Sequence, residues 1–227
     1  VMAGAQAVCR ELGVALAGGH SIDAPEPIFG LAVNGLVDLD KLKLNSTAKP
    51  GDLLFLTKPL GIGMLTTAEK RGLLEMGHHG LARETMLKPN SIGVKLADVK
   101  GVNAMTDVTG FGLAGHLAEM CQASNVMAQI DFRKLPRLAE AESYRRQGAV
   151  PGGTLRNRDA LGESLPAMDE AHWQWLCDPQ TSGGLLISVD PAWEDDVERI
   201  GREFGLSLQS FGVMTARQGK ASIEVVG

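Results

Sequence analysis

The sequence contains little cysteine and no long apolar run. Its three cysteines, Cys9, Cys121 and Cys177, are too few and too far apart for a disulfide scaffold or a zinc knuckle. No apolar stretch approaches the roughly 20 residues that are needed to cross a bilayer, and no secretory pattern is visible. We therefore expect a cytoplasmic protein with no membrane partner.

Clusters of positive charge are also lacking. The formal net charge is −5 and the pI is about 5.6, with lysine and arginine scattered along the chain. This distribution does not indicate a nucleic-acid surface. The 227 residues and the hydrophobic content of 44% fit one large globular domain, or one domain plus a piece of another.

The first residues already follow a helical pattern. Val1, Ala5, Val8 and Leu12 fall on one face at helical spacing, and Gly13 follows them. The first residue is not methionine and no N-cap precedes the pattern. We therefore expect the chain to be a piece of a longer protein.

The composition changes near residue 44. Before it, a glycine-rich loop is predicted between two strands, of which the second covers residues 28–37. Residues 44–51 combine Ser, Thr, Pro and Gly, which is typical of a linker. The sequence thus predicts the tail of one domain in residues 1–43 and a complete second domain in residues 52–227.

The second domain alternates strand and helix signals. Strands are predicted in GDLLFLT, GVNAMTD, NVMAQID and GGLLISV, and the tail is predicted to form a pair of strands joined by a glycine turn. Helices are predicted in MLTTAEKRGLLEMG, PNSIGVKL, LAGHLAEMC, AEAESYRRQ, AHWQWLC and AWEDDVERIGREFGLS. Because the order is mixed rather than strictly βαβ, we predict an α+β fold with helices packed on a mixed sheet.

The stretch NAMTDVTGFGLAGHL places an acid, Asp107, where a strand passes into a helix. The N–H groups and the dipole at a helix start favour an anion. A carboxylate beside a bound phosphate is explained if Mg²⁺ lies between them. The alternative is that Asp107 is simply the N-cap of the helix and that the glycines make a tight turn.

The stretch AGGHSID is a second candidate site. Gly18 and Gly19 can bring the backbone close to a ligand, and His20 can supply a donor. Considered alone, the motif is better explained as a glycine turn beside a solvated histidine.

Two further motifs have structural explanations that we favour. TKPLGIG could hold a phosphate, but it lacks the Gly-Lys-Ser/Thr ending of a P-loop, and close packing of a helix on a strand explains its glycines equally well. CDPQTSGGLL raises the hypothesis that Cys177 is a nucleophile, although only His172 is near it in sequence. Free cysteines are often buried, so a rigid turn before a strand is the favoured interpretation.

Together these motifs resemble one family. LAGGHSID, STAKPGD followed by LTKPLGIG, AMTDVTGFGLAGHL, AVPGGTLRN and LCDPQTSGGLL, in this order and spacing, are similar to the selenophosphate synthetase (selenide, water dikinase) family. The resemblance covers the end of that family's N-terminal domain and all of its C-terminal domain. DVTGFG and DPQTSGG are shared in looser form with the aminoimidazole ribonucleotide synthetase superfamily, whereas AGGHSID and PGGTLRN indicate the selenium branch.

The resemblance implies a reaction and its requirements. ATP, selenide and water would give selenophosphate, AMP and phosphate, with Mg²⁺, in a homodimer that holds nucleotide mainly on its N-terminal domains. It implies that Asp107 is a metal ligand, supported by Thr109 and Gly110. It also implies nucleotide contacts by the residues of the Gly-Gly-His motif, Gly18, Gly19 and His20. Phosphoryl transfer depends on positioning and charge neutralisation, which suits carboxylates and backbone donors.

The resemblance also implies that catalytic groups lie upstream of this chain. The family's reactive Cys or selenocysteine, its neighbouring lysine and its other metal aspartates belong to the N-terminal portion, and no cysteine here lies in that motif. We therefore expect this chain alone to have no dikinase activity. The alternatives are a superfamily enzyme of purine or thiamine metabolism, a non-catalytic scaffold or dimerisation module, and an enzyme using Cys177.

Overall fold

A computed structural model of the protein describes residues 1–227. The chain divides into two compact units, Val1–Asp40 and Lys41–Gly227, and each is described by itself. None of the helices combines the length and the apolar character that crossing a membrane requires.

The first unit contains one regular element. Helix α1 (Met2–Glu11) confirms the helix predicted at the start. Residues 12–40 contain no strand, so the two strands predicted there, including residues 28–37, are wrong. A strand needs a neighbour that takes up its backbone N–H and C=O groups, and this unit supplies none.

The second unit is built on one six-stranded sheet. Its strands are β1 (Leu53–Leu56), β2 (Val102–Asp107), β3 (Val126–Asp131), β4 (Leu185–Val189), β5 (Gly212–Ala216) and β6 (Ile223–Val226), in the order β2-β4-β1-β5-β3-β6. All neighbours are antiparallel except β3 and β6, which are parallel. The sheet is therefore mixed, as predicted.

Helices cover both faces of the sheet. They are α2 (Ile62–Lys70), α3 (Leu81–Leu87), α4 (Ile92–Ala97), α5 (Gly112–Ser124), α6 (Ala139–Arg146), α7 (Gly152–Leu161), α8 (Glu170–Leu176) and α9 (Glu194–Glu203). Side chains alternate along each strand, so Leu54 and Leu56 join a core with α2, α5, α6 and α8, while Phe55 joins one with α4 and α9. This layering confirms the predicted α+β class.

The two tail strands exist but do not pair with each other. Strand β3 lies between them, antiparallel to β5 and parallel to β6. The predicted hairpin is therefore wrong, because the partner that each strand pairs with comes from a distant part of the sequence. Helix α2 ends at Lys70, so the helix predicted over residues 64–77 is too long, because Gly72 adopts a φ of +67° just after the helix. Helices α3 and α7 were not predicted, and α7 begins with two glycines that are more typical of a loop.

The segment predicted as a linker, residues 44–51, is attached to the second unit. The N–H of Met105 donates to the Leu44 carbonyl at 3.1 Å, and the N–H of Ala48 donates to Oγ of Ser124 at 3.1 Å. Thr47 Oγ1 donates to the carbonyl of Asn103 at 2.6 Å. These bonds hold the segment beside β2, which is an edge strand of the sheet.

Candidate functional site

Asp107 is the last residue of β2 and lies opposite Leu185 of β4. Its side chain is exposed, and its carboxylate accepts no hydrogen bond from the protein. The end of β1 lies on the other side of β4, where Leu56 pairs with Leu186. The end of β2, the start of β4 and the end of β1 therefore lie side by side at one end of the sheet. The Asp107 carboxylate is free to bind a ligand there.

The turn after Asp107 is fixed to the loop that precedes β4. The N–H of Val108 donates to the carbonyl of Gly184 at 2.8 Å. The carbonyl of Thr109 accepts the N–H of Gln180 at 3.0 Å. A side chain at Gly183 would collide with the carbonyl oxygen of Val108, so the glycine there allows this close approach. The DVTGFG and DPQTSGG motifs thus form one structure.

Helix α5 begins at Gly112, and its N-cap is Phe111, which makes no capping bond through its side chain. The interpretation of Asp107 as the N-cap is therefore wrong, because the helix starts five residues later in the chain. Gly112 has a φ of +71°, and a Cβ there would lie 2.8 Å from the carbonyl oxygen of Leu176. Glycine is required here because the start of α5 packs against the end of α8.

His116 on α5 reaches back to the turn. Its Nε2 lies 3.1 Å from the backbone nitrogen of Thr109 and 3.1 Å from Oγ1 of the same residue. Burial lowers the pKa of His116, and the negative charges of Asp107 and Glu119 oppose that shift. The helical pattern gave His116 no role beyond packing, but its short sequence distance from Thr109 was a usable signal for this contact.

Asp178 anchors the other motif at the start of α2. Its Oδ2 accepts the N–H of Gly63 at 3.0 Å and a bond from Nε2 of Gln180 at 2.8 Å. Burial is the largest influence and raises the pKa of Asp178 to about 7. A Cβ at Gly63 would lie 2.5 Å from Oδ1 of Asp178, so packing explains this glycine of TKPLGIG better than a phosphate site does.

Lys58 holds the same loop from the opposite side. Its buried Nζ donates to the carbonyls of Lys88 at 2.5 Å and of Ser182 at 2.7 Å. Burial lowers the pKa of Lys58, and the nearby charge of Lys88 lowers it further. Asn90 Nδ2 donates to the carbonyl of Gly183 at 2.9 Å. The sequence did not identify these loop contacts.

Cys177 does not have the surroundings of a nucleophile. Its side chain is fully buried, and burial raises the pKa of its thiol to about 12. His172 stacks on Phe132 instead, with ring centroids 4.0 Å apart. The alternative of a cysteine nucleophile is therefore wrong, because the thiol is neutral at neutral pH and is shielded from solvent.

The Gly-Gly-His motif belongs to the first unit, and Asp107 belongs to the second. Gly18, Gly19 and His20 are exposed and belong to no regular element. Gly19 has a φ of +144°, in the region that favours glycine. Their contact with nucleotide stays a prediction.

The chain contains no group of three or more His, Cys, Asp or Glu residues that could hold a metal ion. Asp107 provides a single exposed carboxylate. Mg²⁺ is commonly held by one or two carboxylates, together with water and substrate phosphate oxygens. The single carboxylate of Asp107 is compatible with Mg²⁺ if water and phosphate oxygens supply the other ligands.

Comparison with known proteins identifies the class. Residues 49–224 match the family described as "AIR synthase related protein, C-terminal domain", and the chain belongs to this family. Its relatives include proteins named selenide, water dikinase. That of Aeromonas hydrophila is 57% identical over 100% of this chain and 66% of its own length. That of Photorhabdus laumondii is 56% identical over 99% of this chain and 65% of its own length. The predicted resemblance is confirmed.

A third relative of that name, from Escherichia coli K12, is 54% identical over 99% of this chain and 65% of its own length. The chain thus spans 65–66% of the length of these three relatives.

Solved structures share the fold at low sequence identity. The hydrogenase maturation protein HypE in complex with ATP has a TM-score of 0.59 at 16% identity, covering 84% of this chain and 52% of that protein. Thiamine-monophosphate kinase from Stenotrophomonas maltophilia has a TM-score of 0.55 at 19% identity, covering 82% and 53%. These likenesses support the fold alone.

Proposed function

We propose that this chain is part of a selenide, water dikinase that converts ATP, selenide and water into selenophosphate, AMP and phosphate. The observation that carries the proposal is the identity of 54–57% to relatives of that name over essentially the whole chain. These relatives, rather than the thiamine-monophosphate kinase structure at 19% identity, are the reason for preferring selenide to a thiamine-pathway substrate. The proposed protein is a cytoplasmic homodimer that uses Mg²⁺.

Asp107 is proposed to hold the magnesium ion. Its carboxylate is exposed at the end of β2 and accepts no hydrogen bond from the protein, so its oxygens are available as ligands. When bound, Mg²⁺ neutralises charge on phosphate oxygens and orients the phosphoryl group.

The turn between Asp107 and α5 is proposed to receive phosphate oxygens. Gly110 is exposed, and no atom lies within 4 Å of the position that its Cβ would occupy. The start of the 13-residue helix α5 follows it and has no acidic residue in its first turn. Backbone N–H groups and the helix dipole at such a start favour an anion. Gly110 therefore supports binding through its backbone N–H. Thr109, whose own N–H lies 3.1 Å from Nε2 of His116, supports binding by holding the shape of the turn.

The remaining parts of the proposed site are the nucleotide contacts and the reactive groups. Gly18, Gly19 and His20 are proposed to contact the nucleotide, since they retain the family's Gly-Gly-His order. No reactive thiol lies at the end of the sheet where Asp107 is found, because Cys177 is buried and neutral. We propose that the reactive residue lies in a part of the protein outside this chain, so that residues 1–227 alone do not turn over.

The test is an activity assay on the full-length protein that contains this chain. With ATP, Mg²⁺ and selenide, we expect selenide-dependent release of AMP and a selenophosphate signal in ³¹P NMR. The same preparation should not act on thiamine-pathway or purine-pathway substrates. Turnover of one of those substrates in place of selenide would contradict the proposal, and no turnover with any of them would favour the scaffold alternative.

The 227-residue chain, assayed alone under the same conditions, is expected to release no AMP. Release of AMP by the chain alone would show that its own residues complete the site.

A further inference from the structure

His116 is bonded to the turn that follows Asp107. Its Nε2 lies 3.1 Å from the backbone nitrogen of Thr109. A backbone N–H can only donate, so Nε2 accepts, and the neutral ring carries its proton on Nδ1. Nδ1 lies 4.0 Å from Oε2 of Glu119. The negative charge of that carboxylate favours a proton on Nδ1. The ring is thus oriented by groups at both of its nitrogens.

The Thr109 N–H is held by a side chain, as is the Gly110 carbonyl, which accepts from Nδ2 of Asn157 at 2.8 Å. The N–H of Val108 donates to the Gly184 carbonyl, and the Thr109 carbonyl accepts from Gln180 and from Gly112. Those bonds join backbone to backbone, whereas the Thr109 N–H depends on the His116 side chain. His116 is only 8% exposed, and the ring of Phe111 lies 6.0 Å from its own. Water is therefore a poor substitute for the imidazole at this position.

We propose that His116 is a positioning residue, which fixes the turn at residues 108–110 by accepting the Thr109 N–H and thereby directs the Asp107 carboxylate toward a divalent cation. The inference rests on the proposed function of Asp107. His116 itself contacts neither the ion nor the substrate in this arrangement. Its effect is exerted through one peptide group, two residues after the ligand.

Two substitutions that differ by one methylene group separate this role from simple packing. In His116→Gln, the amide oxygen can reach the place of Nε2 and accept the Thr109 N–H. In His116→Asn, the amide is the same but its oxygen is too far from Thr109. Both variants are made in the full-length protein, with Asp195→Asn as a control, because Asp195 is exposed on α9 and makes no side-chain hydrogen bond.

The first readout is hydrogen exchange in a peptide that contains residues 108–111, measured by mass spectrometry without metal or substrate. We expect exchange roughly tenfold faster or more in His116→Asn, because the Thr109 N–H loses its acceptor. We expect His116→Gln to stay within about threefold of the unsubstituted protein. Unchanged protection in His116→Asn would overturn the inference whatever Asp107 does.

The second readout is the Mg²⁺ concentration at half-maximal activity. A lost supporting contact to a metal ligand typically weakens metal binding or activity 10–100-fold, so we expect His116→Asn to need roughly 10–100 times more Mg²⁺. His116→Gln should restore most of that loss. If both variants are impaired equally, or if His116→Asn leaves the Mg²⁺ requirement unchanged, His116 has only a packing role.

Asp107→Asn, tested beside these variants, separates the two claims. If it leaves the Mg²⁺ requirement unchanged, the proposed function of Asp107 fails, and the positioning of a metal ligand by His116 fails with it. If Asp107→Asn raises the requirement and His116→Asn does not, the positioning role alone is overturned.

Discussion

The carboxylate of Asp178 lies at the start of α2, where its Oδ2 accepts the N–H of Gly63 at 3.0 Å. The two residues are 115 positions apart in the sequence. This bond attaches the loop before β4 to the helix after β1, and the same loop is bonded to the turn that follows Asp107. The geometry of the candidate site therefore depends on how closely Gly63 and Asp178 approach.

Substitution of Gly63 by alanine should destabilise the second unit. A Cβ there would lie 2.5 Å from Oδ1 of Asp178 and 2.7 Å from the carbonyl oxygen of Pro179, and neither atom can move freely. Overpacking of this kind typically costs about 1–3 kcal/mol, which urea unfolding measures. Gly77→Ala is the matched control, because nothing lies within 4 Å of the corresponding position. Equal stability of the two variants would contradict the close approach.

Asp178 should make stability depend on pH between about 4 and 7. Its pKa is raised to about 7 in the folded protein from an ordinary value of 3.8, so in this interval the folded state binds more protons than the unfolded state. The contribution of Asp178 to the free energy of unfolding is therefore fully present below about pH 4 and is lost as the pH rises to about 7.

Asp178→Asn removes this titration. The free energy of unfolding of the unsubstituted protein, minus that of the variant, should fall as the pH rises, by at most about 1.4 kcal/mol per unit. Denaturant unfolding at several pH values measures this difference. A difference that stays constant from pH 4 to 7, or that grows with pH, would show that the side chain is ionised throughout.

The buried cysteines should resist alkylation in the folded protein. Burial raises the pKa of Cys121 and of Cys177 to about 12, so very little thiolate is present at neutral pH. Cys9 is partly exposed and serves as an internal control. After treatment with iodoacetamide at pH 7, mass spectrometry should find the label on Cys9 before the other two. Rapid labelling of Cys177 would restore the possibility that it is reactive.

Local patterns predicted most of the second unit. The strand in GGLLISV and the helix in WEDDVERIGREF are found as β4 and α9, because their residue types and spacing match buried and amphipathic elements. The tail strands were paired wrongly, because β3, about 85 residues earlier in the chain, lies between them. Strand formation depends on partners that a local pattern does not contain.

For the candidate site, too, the local sequence predicted single residues but not the contacts between distant segments. Asp107 was identified because it ends a strand directly before a glycine-rich turn, and its exposed position agrees with a binding role. His116 was missed because its spacing also fits the buried stripe of α5. Asp178 and Lys58 lie in motifs that the sequence singled out, but their bonds to Gly63 and Ser182 span 115 and 124 residues, so no local pattern could have shown these contacts.

The most direct test of the account is the Asp107→Asn substitution in the full-length protein, with selenide-dependent AMP release followed as the Mg²⁺ concentration is varied. Asparagine keeps the size of the side chain but removes the charge that binds the cation. We expect the rate at low Mg²⁺ to fall roughly 100-fold or more, since a bound metal ion stabilises transferred phosphoryl charge by several kcal/mol. We expect Asp195→Asn to leave the rate unchanged. Wild-type rates and an unaltered Mg²⁺ requirement in Asp107→Asn would contradict the assignment of Asp107 as a metal ligand.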